Sequence, residues 1–286
     1  WRTASLPPML PLVLAFGAGM GWGTADFLGG LSARRLPLIT LSLLSQLAGL
    51  VFVGTIVAVR GEAPTGAETL LVGLAGGLVG GGGLAALYRA LAIGRMSIVA
   101  PTAALSGVVP VAWGLFRGER PTTLQLVGVA VAVAGIVLAA RTADHTGARD
   151  TRGLGLALVA AVTLGAFVVL LDESARGDPL WASLMVRTGA ISMLLVAFLV
   201  RRPSLRMRAP DAGRLAAVGV LDNAGNLAFA TAADAGGLLA LTSVLGSLYP
   251  VATVVLARFV LHERLTRWQT VGVVAALAGV VLIAAG

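Results

Sequence analysis

The sequence predicts an all-α integral membrane protein with ten transmembrane helices in two inverted five-helix repeats. Three observations lead there. Hydrophobic residues make up 57% of the chain and charged residues only 12%, where a soluble domain carries about a quarter charged. Apolar runs of about 20 residues, the helical length that crosses about 30 Å of hydrocarbon, recur along the whole length. Finally, the segment Leu105–Leu138 is written again as Leu245–Ile283. Pro110, Gly118-Glu119-Arg120, Gln125–Gly128 and Ala134–Leu138 return in order as Pro250, His262-Glu263-Arg264, Gln269–Gly272 and Ala278–Leu282. A repeat of this length in so apolar a chain is the mark of a carrier built from two related halves.

The spans follow in order. Met9–Leu31 contains the glycine run Gly17, Gly19, Gly21 and Gly23, a close-packing face. Pro37–Val59 comes next, beyond Arg34 and Arg35. Thr69–Ile93 holds Gly76-Gly77 and Gly80 to Gly83, again packing glycines; bending during transport is the second reading. This cluster is not a phosphate loop, because no Lys or Ser/Thr follows it as required. Ser97–Phe116 carries Pro110, and Thr122–Ala140 closes the first half. The polar stretch Arg141–Arg152 reads as a loop. The second half then has Gly153–Leu171, Leu180–Val200, Gly213–Ala233, Leu238–Val260 and Trp268–Ala285. Strands are excluded because the runs are too long and lack alternation of period two. The domains are thus residues 1–141, a linking loop 142–152, and residues 153–286.

The pairing extends beyond the end segments. Gly23 with Gly165, Arg34 with Arg176 and Pro37 with Pro179 share an offset of 142, Pro110 and Pro250 one of 140, and Glu119 and Glu263 one of 144. Five helices per half is an odd number, so the second copy enters the membrane from the opposite side. Such inversion places a substrate path at the interface of the repeats, near the midplane.

Other features narrow the class. There is no Cys, which excludes disulfides, thiol nucleophiles and thiolate metal sites. The net charge of +8 comes from Arg alone, since the chain has no Lys; it reflects loop anchoring, not nucleic-acid binding. His145 and His262 fall at loop or helix-end positions, with no His-Glu-x-x-His motif and no Ser/His arrangement within the spans, so no enzyme is expected. No nucleotide site for a pump, no cofactor and no metal site is expected either. The start at Trp1, with a short tail and no cleavable signal pattern, suggests that the native N-terminus has been trimmed or replaced. Both termini lie on one side. The arginines of the odd-numbered loops, Arg201, Arg202, Arg206, Arg208 and Arg214 among them, put those loops in the cytoplasm by the positive-inside rule.

Polar residues inside the spans are where mechanism is sought, because a charge in lipid costs several kcal/mol unless it faces a cavity or a partner. Asp222 lies mid-span in the eighth, followed by Asn223, with Asn226 one turn on. This trio reads as a site for an amine or a proton, or as a polar clamp between helices. Asp26, with Trp22 one turn before it, could receive a cation between a carboxylate and an aromatic surface; an interfacial ion pair with Arg34 or Arg35 is the alternative. Tyr249, Ser243 and Ser247 in the ninth span and Thr102, Ser106 and Pro110 in the fourth form two stripes. They line a cavity symmetrically, or else are kinks with Ser and Thr bonded back to their own helices. Arg89, beside Tyr88, and Arg187 read as snorkelling anchors more than as an anion site. Glu119 and Glu263 read as local partners of the adjacent arginines more than as gates.

With these residues, the chain resembles the EamA branch of the drug/metabolite transporter superfamily. The resemblance covers ten spans in two halves, each closing with a Pro-containing helix, a Gly-Glu-like end and a Gly-rich helix, after the opening Gly21-Trp22-Gly23-Thr24-Ala25-Asp26-Phe27. It implies alternating access by rocking of helix groups. It also implies a cavity lined by the first four spans of each half, and export of amino acids and similar metabolites. An Arg often found in the second and seventh spans is matched by Arg187 but not around Ser45-Gln46. Termini in the cytoplasm are usual in the family, against the arginine count here. The expected function is a secondary-active or facilitative carrier of small polar metabolites such as amino acids or amine-bearing compounds in the cell membrane. Protons are a candidate coupling ion; a monomer is expected, with a dimer as the alternative. A lipid or headgroup flippase, or an importer of a quaternary amine, is the competing reading.

Overall fold

The computed structural model describes residues 9–33, 35–64, 66–93, 102–139, 153–205, 207–262 and 266–285. The linking loop 142–152 with its His145, the segment 97–101, Arg34, Arg206, Glu263 and Arg264 lie outside the described residues, as do the side chains of Tyr88 and Pro250. The described elements are helical. They are α1 (Leu10–Ala33), α2 (Leu38–Arg60), α3 (Ala67–Ile93), a 3₁₀ turn (Ala104–Gly107) leading into α4 (Val108–Phe116), and α5 (Thr123–Ala139). The second half contributes α6 (Leu154–Ala175), α7 (Pro179–Arg201), α8 (Ala209–Asp234), α9 (Leu239–Gly246), α10 (Tyr249–Val260) and α11 (Arg267–Ala285). Among the described residues, five segments are long and apolar enough to cross a membrane, α9 and α10 counting together as one.

Local chemistry explains the boundaries. Asp178 caps α7 by accepting from the Trp181 amide at 3.2 Å, with Pro179 in the first turn where its missing N–H costs nothing. The predicted ninth span is broken in two. Pro250 cannot donate, so the helix re-forms only from Tyr249 onward after a tight turn at Ser247-Leu248. In the first half the 3₁₀ turn stands at the matching place before Pro110.

Glycines fix the arrangement of the halves. A Cβ on Gly128 would lie 2.9 Å from the Gly279 carbonyl oxygen, and one on Gly135 would lie 2.7 Å from that of Gly272. Because Gly128 corresponds to Gly272 and Gly135 to Gly279, the two contacts are one contact read twice about a two-fold axis. They make α5 and α11 antiparallel, which is the inversion. Along α3, Gly76 faces Leu170, Gly80 faces Phe167, and Gly83 faces Thr163 and Leu164, so α3 and α6 also run antiparallel. Its two-fold mate packs Gly225 of α8 against Trp22 and Ala18 of α1. Backbones meet this closely only where side chains are absent.

The densest packing joins halves instead of staying within them. α3 packs on α6 and α7, and α4 on α6; symmetrically, α8 packs on α1 and α2, and the α9–α10 pair packs on α1. Two groups result. One holds α3, α4, α6 and α7; the other holds α1, α2, α8, α9 and α10. They meet where α2 crosses α7, α7 crosses α8, and α4 crosses α9.

Glu119 corrects the sequence reading. It does not pair with Arg120. Its carboxylate accepts from the backbone amides of Leu239 at 2.7 Å and Ala240 at 2.8 Å, capping α9 from the other half of the chain. Gly118, at φ 90°, makes the turn that aims it there. The Pro11 side chain lies beside Gly237 just before α9, so this bridge sits on the face from which α1 begins.

Candidate functional site

Arg187 is the largest fully buried side chain among the described residues. It sits mid-helix in α7, where α7 crosses α2 and α8. Gly49 of α2 makes the slot: a Cβ there would come within 3.2 Å of Arg187 Nε and 2.8 Å of the Gly219 carbonyl oxygen. A guanidinium placed this deep needs partners for each nitrogen. Nη2 donates to Asp222 Oδ2 at 2.8 Å, and Nη1 donates to Gln46 Oε1. In the amide orientation that satisfies both groups, Asn223 Oδ1 accepts from Nε at 3.0 Å and from Nη2 at 3.3 Å. Arg187 is 2% exposed while Asp222 is 32% exposed, so the acid forms the open face of the pair.

This overturns one expectation: Arg187 does not snorkel but pairs with Asp222. The packing register shows why: Gly77 lies against Val186 and Ala190, while its mate Gly219 lies against Ser45 and Gly49. The same register pairs Arg187 with Gln46, so the two residues that meet across the axis are two-fold equivalents. Arg89, by contrast, is exposed.

Asn226, also on α8, turns its Oδ1 to Trp22 Nε1, which donates at 2.9 Å. The Trp22 ring lies on Phe229 with centroids 5.8 Å apart. Gly225 clears the space for the indole. Asn223 and Asn226 are therefore both buried and committed to named partners.

Asp26 differs. It follows Trp22 by one turn on α1 and lies within electrostatic reach of Asp222 and of Tyr249. It is exposed, and among the described residues it has no hydrogen bond or ion pair. Asp26 thus lies on the side of α1 that is near Asp222 of α8 and Tyr249 of α10. Tyr249 is hydrogen-bonded to Ser106 of the 3₁₀ turn in the other helix group. Ser247 lies beside Gly107 at the same crossing. Ser243 is buried and donates to the Ala240 carbonyl of its own helix at 3.5 Å, and Thr102 is half-buried at the start of the fourth span. The structure thus brings Asp222, Asp26, Trp22, Tyr249 and Ser106 around one region and turns Ser243 back on its own backbone. A separate recess of about 540 Å³, lined by Arg35, Leu36, Met207, Arg208 and Asp211, lies at the loops away from these groups.

One buried acid was not anticipated. Asp172, near the end of α6, is inaccessible and pairs with Arg176 at 2.8 Å, its Oδ1 unpartnered. Its spacing of four from Arg176 was a readable helical ion-pair signal.

The EamA-like transporter family matches residues 9–141 and 151–285. A solved crystal structure shares the fold, with a TM-score of 0.79 over 96% of this chain and 97% of the other at 19% identity. No curated protein matches. The chain belongs to the EamA-like transporter family: it is a multi-pass membrane protein of a family of transporters.

Proposed function

We propose that this protein carries small polar, amine-bearing metabolites, amino acids and amines among them, out across the cell membrane by alternating access. The observation that carries the reading is Asp26: an exposed carboxylate within electrostatic reach of Asp222 and Tyr249, with no hydrogen bond or ion pair among the described residues. A carboxylate within a span is costly unless it has a partner or faces a cavity, and a cationic ligand would offset that cost. Asp222 offers a second acceptor edge, and the rings of Trp22 and Tyr249 border the same region.

The packing supports a rocking mechanism. Polar links join the two helix groups, among them Arg187 to Asp222 and Gln46, Tyr249 to Ser106, and Glu119 to the start of α9. Rocking one group against the other remakes these links and exposes Asp26 to one face at a time. The paired chain segments 1–141 and 153–286 act as repeats in sequence, while the moving units each draw on both of them.

The test is counterflow of radiolabelled amines and amino acids in proteoliposomes. Accumulation that disappears in Asp26→Asn, with the variant still folded, supports the reading. Accumulation of an anionic metabolite that survives the substitution would sink it.

A further inference from the structure

We propose that the recess between the α1–α2 turn and the α7–α8 loop is a lipid site that takes the phosphodiester of an anionic phospholipid headgroup. It lies away from Asp26 and Asp222, at the end of the bundle opposite the Glu119 cap, and does not depend on what the protein carries.

The recess has a volume of about 540 Å³ and is lined by Arg35, Leu36, Met207, Arg208 and Asp211. Its walls are tied together. Leu36 packs with Leu41 of α2 and Leu215 of α8 in a buried cluster. Thr40 of α2 donates to the Ser204 carbonyl oxygen at 2.9 Å and holds the α7–α8 loop in place. Asp211 is 5% exposed and accepts the Arg208 backbone N–H at 3.1 Å, which commits one of its oxygens to the start of α8. Arg35 and Arg208 are exposed, and neither has an ion pair among the described residues. Two guanidinium groups beside one carboxylate leave the lining with a single net positive charge. That charge matches a phosphodiester, whose two free oxygens accept charge-assisted hydrogen bonds from guanidinium N–H groups. Depth and apolar surface favour a lipid over a soluble anion. Arg35 lies just past the end of α1 and Arg208 just before α8, the level of the headgroups once a helix has crossed the hydrocarbon. Leu38, Leu205 and Met207, close to these arginines in the chain, are 42%, 53% and 41% exposed. Acyl chains cover such side chains, and a free phosphate leaves them in water. Arg201 and Arg202 at the end of α7 and Arg214 in α8 add positive charge at the same end, which favours anionic over zwitterionic lipid.

Native mass spectrometry of the purified protein in detergent reads binding lipid by lipid. The probes are phosphatidylglycerol, phosphatidylethanolamine and phosphatidylcholine with the same acyl chains, and glycerophosphoglycerol, the headgroup of the first without its chains. On the wild type, phosphatidylglycerol is expected to bind at least about tenfold tighter than each of the other three. This ranking does not depend on any variant. Arg35→Gln combined with Arg208→Gln should weaken phosphatidylglycerol by at least about tenfold. Arg201→Gln combined with Arg202→Gln removes the same charge from the same end but outside the recess, and should weaken it by less than about threefold. All four side chains are exposed, so both double variants should melt within a degree or so of the wild type. Equal binding of the three lipids would overturn the site, as would equal losses in the two double variants, which would reduce the effect to a diffuse surface field. Glycerophosphoglycerol binding as tightly as the lipid would overturn the lipid assignment in favour of a soluble phosphodiester.

Discussion

Replacing Glu119 separates a cap from a local ion pair. Its two carboxylate oxygens each accept one amide proton from the first turn of α9, at 2.7 and 2.8 Å, where the helix dipole also favours a negative charge. A charge-assisted hydrogen bond contributes about 1.5–3 kcal/mol and loss of an N-cap costs about 0.5–2 kcal/mol. Glu119 is half-buried, which discounts both figures. Glu119→Ala should therefore cost about 2–4 kcal/mol. Glu119→Gln keeps one acceptor and should cost roughly half as much. At about 2–4 °C per kcal/mol, the alanine variant should melt about 5–15 °C lower. Thermal unfolding followed by tryptophan fluorescence in one detergent reads the series, with Arg120→Ala alongside. Arg120 is exposed and has no ion pair among the described residues, so its removal should move the midpoint by no more than a degree or so. Equal losses for Arg120→Ala and Glu119→Ala, or no loss for Glu119→Gln, would refute the cap and restore the local pair.

Two further outcomes are expected. Arg187→Met should be among the most damaging single changes, about 3–5 kcal/mol, because it strands Asp222 and Asn223; adding Asp222→Asn should recover part of the loss, and a double-mutant cycle showing simple additivity would count against the pair. Gly135→Val and Gly279→Val should each lower the melting temperature by forcing α5 and α11 apart, whereas Gly17→Ala, whose Cβ meets nothing within 4 Å, should be neutral or stabilising.

Much of the frame was legible because it rests on local chemistry. Apolar runs marked the helices to within a few residues, and Pro250 marked the break between α9 and α10. The duplicated glycines, read at offsets near 142, are the ones that touch across the axis. The site was less legible because its decisive contacts join residues far apart in the chain. Asp222 and Arg187 are 35 positions apart and Arg187 and Gln46 are 141 apart, so no helical spacing could reveal them. Snorkelling looked reasonable for Arg187 only while the slot above Gly49 was unseen. Glu119 was misread for the opposite reason: the neighbouring Arg120 offered a nearer partner than the helix end that the turn at Gly118 actually brings to it.

The two halves agree where the protein needs a frame and differ where it needs chemistry. Gly23 and Gly165, Gly77 and Gly219, Gly83 and Gly225, and Pro110 and Pro250 keep the same residue in both copies. Asp222 has Gly80 as its counterpart, Asp26 has Val168, Trp22 has Leu164, Asn226 has Leu84 and Tyr249 has Val109. The acids and aromatics thus belong to the helix group of α1, α8 and α10 and have no mirror in the group of α3, α4 and α6. On the proposed reading, a ligand held by Asp26 would sit off the two-fold axis and travel with one group. The other group supplies Arg187 and Ser106 across the crossing. If the carrier alternates as proposed, symmetry would make its two access states alike in packing, while the one-sided polar set would make them unequal in how they hold a charge. On the proposed reading, that inequality would let a positively charged ligand bias the equilibrium between them, because only differential contact with two states can shift their populations.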